Sequence, residues 1–199
     1  MRIVCLDLEG VLIPEMWIMV AEATGIDELR LTTRDIEDYD ELMRHRLEIL
    51  SARKISLRSI QEVIRGVKPI GGAVPFLQSL RERWQVAVLS DTFEEFAGPA
   101  LEKLDWPFLL CNSLLIDESG MITGYRLRQP DGKLRAVEAF RSLNREVFAI
   151  GDSFNDISML RAAHRGFLFM PSDTVCAANP DLPRYETHAE ALEALIAIE

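Results

Sequence analysis

The chain has 199 residues and a formal net charge of -10, with 48% hydrophobic and 27% charged residues. That length suits one domain with room for a small insertion, and no apolar run reaches the roughly 18 residues a membrane span requires, so no membrane partner is expected. The negative charge repels polyanions, and no lysine or arginine run is interleaved with aromatics, which argues against nucleic acid as a partner.

The first twenty residues are apolar enough to suggest an export signal, but Asp7, Glu9 and Glu15 interrupt them where such a segment must be uncharged. Cys5, Cys111 and Cys176 are far apart, odd in number and set among apolar residues. That pattern fits neither a disulfide framework nor a metal site, and a reducing cytoplasm suits it best.

In chain order, residues 3–6 form a short, fully apolar run before Asp7, as expected of a strand buried on both faces. Residues 14–68 then show helical patterns at 14–23, 39–51 and 56–66 and no convincing strand. A helix is expected at 73–83, a second buried strand at 86–89 before Ser90-Asp91-Thr92, and a helix at 94–104. Residues 114–128 read as a β-hairpin turning at Asp117-Glu118-Ser119-Gly120, a local antiparallel excursion. A helix at 134–143, a third buried strand at 147–150 before Gly151-Asp152, a helix at 157–163, a strand at 167–170 and a closing helix at 189–198 complete the alternation. The expected fold is α/β: a doubly wound parallel sheet with a small helical cap and a short β-hairpin. The expected division is a core of residues 1–13 and 69–199 and a cap of residues 14–68, lying over the carboxyl edge of the sheet, where open α/β folds bind ligands.

Chemistry-bearing residues gather at the strand ends. Asp7 and Glu9 stand two residues apart before Gly10, a spacing that extended geometry points to one side. Ser90, Asp91 and Thr92 follow the second strand; a phosphate site and a plain helix cap are both open readings there. The loop from Gly151 to Asp156 supplies Asp152 as a metal ligand, with Asn155 and Asp156 beyond it. Three buried strands delivering acids to one sheet edge would be costly without a cation. Lys133, in a Gly-Lys turn, is either solvated or the local countercharge. His45, His164 and His188 form no spaced set, and Trp17, Trp84 and Trp106 read as packing residues.

Asp7-x-Glu9-Gly10, Ser90, Lys133 and Gly151-Asp152-x-x-x-Asp156 stand in the order of the four haloacid dehalogenase signatures, and the chain resembles the phosphoserine phosphatase branch of that superfamily. The stretches CLDLEGVL, TTRDI, LSDTF and GDS-x-ND carry the likeness. The resemblance implies a Rossmann-like core and a magnesium ion held by Asp7, Asp152 and the Glu9 backbone carbonyl. It makes Asp7 the nucleophile and Glu9 the general acid and base, with Lys133 neutralising Asp7 and phosphate. Ser90 and Asp91 would hold the phosphoryl group, and Asn155 would complete the loop around the substrate. Asp156 would stand behind the metal or reach it through water. Glu15 would meet the substrate ammonium and Arg46 its carboxylate; from the residues alone, each also reads as a structural group of a charged helix. Glu9 departs from the aspartate common in that branch. The extra methylene can alter how well it activates water, so homoserine is a candidate acceptor beside water, with L-phosphoserine as donor. Competing readings are a phosphatase of another small phosphomonoester, a silent phosphate-binding regulator and a phospho-accepting receiver domain; a homodimer is compatible with all.

Overall fold

The structure, a computed structural model, describes all residues except Thr33, Arg34, Glu37 and Glu199. Its element order is β1 (Arg2–Leu6), α1 (Met16–Thr24), α2 (Tyr39–Ala52), α3 (Leu57–Gly66), α4 (Ala73–Arg81), β2 (Gln85–Phe93), α5 (Glu94–Lys103), β3 (Leu109–Ile116), β4 (Ile122–Arg126) and α6 (Gly132–Ser142). There follow β5 (Glu146–Gly151), α7 (Ile157–Ala162), β6 (Arg165–Phe169), α8 (Asp173–Ala178), β7 (Arg184–Tyr185) and α9 (His188–Ile196). The strands form one seven-stranded sheet in the order β4-β3-β2-β1-β5-β6-β7, parallel throughout except for β4.

The apolar runs are apolar because both faces of the strands are covered. Val4 and Leu6 of β1 face one apolar cluster with Phe76 and Leu80 of α4, Phe96 of α5 and Leu195 of α9. Ile3 and Cys5, one residue out of phase, face a second cluster with Val137 of α6, Leu160 of α7 and Val175 of α8. Helices on both sides leave the strand ends as the open polar edge.

The helical segment after β1 shares the first cluster: Met16, Trp17 and Val20 of α1, Met43 and Leu50 of α2, and Ile60 and Ile64 of α3 belong to it. Polar ties also join it to the sheet side. The Leu57 amide donates to the Gly120 carbonyl in the hairpin turn at 3.0 Å, the Gln61 amide donates to the Glu95 carbonyl at 2.9 Å, and the Tyr125 hydroxyl donates to Asp40.

The hairpin is more than a local excursion. β3 begins at Leu109 and pairs in parallel with β2 through Leu109 and Leu110 before pairing with β4, so the hairpin is the edge of the main sheet. β2 runs on to Phe93, with an irregularity in its pairing between Leu89 and Phe93. Trp106 is 64% exposed instead of packed, because Asp105 and Trp106 both take positive φ in the turn after α5. Among the described residues no helix is long and apolar enough to cross a membrane.

Candidate active site

Three strand ends and one helix start converge on a cavity of about 740 Å³. Asp7, the residue after β1, is 4% exposed, and its amide extends the sheet by donating to the Ile150 carbonyl at 2.9 Å. Its Oδ1 accepts from the Leu8 amide at 2.7 Å and its Oδ2 lies 3.0 Å from Lys133 Nζ. Lys133 stands in the first turn of α6, 4% exposed, so it is not a solvated turn lysine. Its ammonium also lies 2.7 Å from Asp156 Oδ1 and 3.6 Å from Asp91 Oδ2. Burial alone would lower its pKa, but Asp156, Asp7 and Asp91 together hold it well above the usual lysine range.

Asp156 is fully buried and spends both oxygens. One takes Lys133; the other accepts from the amides of Asp152 at 2.9 Å and Ser153 at 3.1 Å. Gly151 makes this possible, since a Cβ there would stand 2.4 Å from the Asp156 Cβ. Asp156 therefore shapes the loop that presents Asp152.

Oxygens of Asp7, Asp152 and Asp156 lie within 4.8 Å of one another. Burial, and then Asp156, raises Asp7 well above the carboxylate range; burial, Asp156 and Glu15 push Asp152 up to about 7. One ammonium does not balance this cluster. Asp7 and Asp152 line the cavity while Asp156 lies beneath it, so these two are the carboxylates that face a hard divalent cation, and oxygen donors of this kind fit magnesium. Gly10, at φ +78°, closes the site: its missing Cβ would fall 2.4 Å from the Asp152 Cγ.

Glu9 bends back to accept from the Met16 amide at 2.8 Å, satisfying a free N–H at the start of α1. Burial and the neighbouring Glu15 carboxyl push it up to about 8, so it carries a proton near neutral pH. Glu15 is the N-cap residue of α1, not part of its first turn, and makes no capping bond; its exposed side chain lines the cavity. Ser90 and Thr92 are not caps either, because β2 continues through them and α5 begins after Phe93. Ser90 is buried on the cavity wall, and Asp91 Oδ2 accepts from Asn155 Nδ2 at 3.0 Å.

Arg46 of α2 enters the cavity from the opposite side, 6% exposed, its pKa lowered to about 10 by burial despite Tyr39, Glu9 and Glu15 nearby. Every site residue named from the sequence therefore meets in or directly beneath this cavity. Of the TTRDI stretch, Thr32 lines it, while Thr33 and Arg34 lie outside the described residues. The sequence reading missed Trp17, Tyr39, Phe93, Phe154 and Thr174 as lining residues, each carrying only the signature of packing or of a helix end. The histidines take no part: His188 is buried against the carbonyls of Val11 and Gly71, and His164 accepts from the Val147 amide.

Residues 1–164 match the family model described as haloacid dehalogenase-like hydrolase. The chain is 53% identical to phosphoserine phosphatase ThrH of Pseudomonas aeruginosa over 96% of its own length and 93% of that protein's. It is 51% identical to a phosphoserine phosphatase of Pseudomonas syringae pv. tomato over 95% and 80%. A solved structure described as the phospho-aspartyl intermediate analogue of phosphoserine phosphatase superposes with a TM-score of 0.80 at 20% identity, covering 98% of each chain, which speaks to the fold. A sheet edge that brings an aspartate, its lysine and a second acid pair together, and sequence agreement over most of the length, have one common reading: the chain belongs to the haloacid dehalogenase-like hydrolases.

Proposed function

We propose that the protein is a magnesium-dependent phosphoserine phosphatase working through an aspartyl phosphate on Asp7. The observation that carries this is the meeting, in one cavity, of Asp7 paired with Lys133, Glu9 tied to the start of α1, and a carboxylate and a guanidinium from the helical segment, Glu15 and Arg46. The relatives named phosphoserine phosphatase support the substrate.

In this reading residues 14–68 are a cap over a core of 1–13 and 69–199. Arg46 receives the substrate carboxylate and Glu15 its ammonium, a division that suits a zwitterion. Asp7, Asp152 and the Glu9 carbonyl would hold magnesium, which would supply positive charge to the phosphoryl group. Ser90, with Asp91 and Asn155 beside it, holds the phosphoryl group against Asp7, and Lys133 keeps Asp7 oriented and countercharged. A carboxylate oxygen of Asp7 bonds to phosphorus as the bond to the serine oxygen breaks, and Glu9 gives its proton to that oxygen. Glu9, now ionised, takes a proton from the water that attacks the phosphoaspartate; phosphate leaves, and both carboxyl groups return to their starting forms. Glu9 is one methylene longer than the aspartate common in the phosphoserine phosphatase branch, which alters how well it activates water, so homoserine is a second acceptor in this proposal. The unpaired thiols suit the cytoplasm as its location.

Phosphate release from L-phosphoserine with magnesium, with and without homoserine, tests the proposal. Diversion of phosphate into phosphohomoserine supports the second acceptor. No release from phosphoserine, with release from another phosphomonoester, refutes the substrate and leaves the chemistry standing.

A further inference from the structure

Arg46 is a buried cation with no carboxylate at contact distance. It takes part in no ion pair among the described residues. Its Nη2 donates to the Leu31 carbonyl at 2.8 Å, its Nη1 faces the Met43 sulfur at 3.8 Å, and its Nε is buried with no acceptor. Glu9 and Glu15 act on it from further off, and what touches its face is a ring: the guanidinium lies over the indole of Trp17, 4.4 Å from the ring centroid. Trp17 is itself wedged, 9% exposed, with its ring tilted at 60° against fully buried Phe96 at 5.1 Å.

This arrangement has a chemical consequence. An aspartate or glutamate paired with Arg46 would occupy the donors that a ligand carboxylate needs, and would have to be displaced. An aromatic face stabilises the cation through its quadrupole while taking none of those donors. It also fixes the plane of the guanidinium, which bidentate recognition of a carboxylate depends on.

We infer that Trp17 is a positioning residue that sets specificity: lying under Arg46, it orients that guanidinium and leaves it free of an ion-pair partner for the carboxylate of an amino acid phosphate. The inference rests on the proposed function and adds to it the residue that makes Arg46 selective. Trp17 contributes through Arg46 and takes no part in the bond changes at phosphorus.

The test compares kcat/KM for O-phospho-L-serine and O-phosphoethanolamine, which share the phosphate, the ester oxygen and the ammonium and differ by the carboxylate. The wild type is expected to prefer phosphoserine. In Trp17→Leu the ratio of the two efficiencies should fall about tenfold, the scale of a desolvated cation–π contact. Trp17→Phe, which keeps an aromatic face, should hold the ratio within about threefold of wild type, since the substituted ring keeps most of that interaction. In Arg46→Met the preference should collapse, and adding Trp17→Leu to that background should change the ratio no further, as coupled residues require. If Trp17→Leu does not fold, Trp17→Met carries the same expectation. A wild type with no preference refutes the amino acid reading of the site and the inference with it. A wild type with a preference that Trp17→Leu leaves intact, or an equal loss on both substrates, overturns the inference alone.

Discussion

Gly10→Ala is the substitution whose effect follows most directly from the geometry. The backbone there has φ +78°, and an added Cβ would lie 2.4 Å from Asp152 Cγ and 2.5 and 2.6 Å from its oxygens. Ordinary contact begins near 3.4 Å, so the carboxylate must retreat by 3.4 - 2.4, about 1 Å, on a wall where Asp156 already pins the loop amides of residues 152 and 153. The left-handed backbone adds a cost of roughly 1–2 kcal/mol. Gly25 isolates that second effect: it has φ +67° and nothing within 4 Å of its missing Cβ. Both alanine variants should therefore melt several degrees lower, by the scaling of about 2–4 °C per kcal/mol expected at this size. Only Gly10→Ala should lose activity, by about 100-fold, the scale expected of a 1 Å misplacement at a reacting centre. It should also lose the rise in melting temperature that magnesium produces in Gly25→Ala. The assay is a thermal melt with and without magnesium, followed by phosphate release from phosphoserine. A Gly10→Ala protein that matches Gly25→Ala in metal response and turnover refutes the contact between residue 10 and Asp152 as a determinant of the site.

Asp7→Asn should abolish turnover, by about 10⁴-fold or more as for other covalent nucleophiles. It should also raise the melting temperature of the metal-free protein, because a carboxylate disfavoured by burial and by Asp156 is removed; an active or less stable variant contradicts this. Lys133→Met removes the cation that contacts both Asp7 and Asp156 and should cost about 3–5 kcal/mol, the penalty of leaving buried charge unpaired; urea unfolding with an unchanged midpoint refutes it. Stability of the metal-free protein should fall as pH rises. Asp152 and Glu9 are raised from 3.8 to about 7 and from 4.5 to about 8. Between those values the folded state holds protons the unfolded state has lost, so unfolding free energy declines with pH. Magnesium should reverse this, and its effect on the melting temperature should be larger near pH 8 than near pH 6. A metal-free melting temperature that climbs over that range contradicts the raised pKa values.

The central strands were legible because each holds a short run with no polar position, at 3–6, 86–89 and 147–150. Covering on both faces forces that pattern, as the division of Val4 and Leu6 from Ile3 and Cys5 between two clusters shows. The polar residues after those runs were legible for the same reason: a parallel sheet sends equivalent strand ends to one edge, where Asp7, Ser90 and Asp152 meet. The start of β3, α8 and β7 were not anticipated; β7, with two residues, is too short to complete a strand alternation.

Residue type and spacing thus determined the fold class and the polar edge, while the resemblance to the haloacid dehalogenase signatures pointed to Lys133, Glu15 and Arg46 as site residues. They did not determine protonation, pairing or orientation. The same lysine reads as a solvated turn until α6 buries it between Asp7 and Asp156, and Glu9 reads as an ordinary acid until it is buried with Glu15 beside it. Trp17 reads as packing until Arg46, from another helix, comes to rest on its ring. These properties arise from desolvation and from charges brought close by residues distant in the chain, and neither exists before the tertiary structure forms.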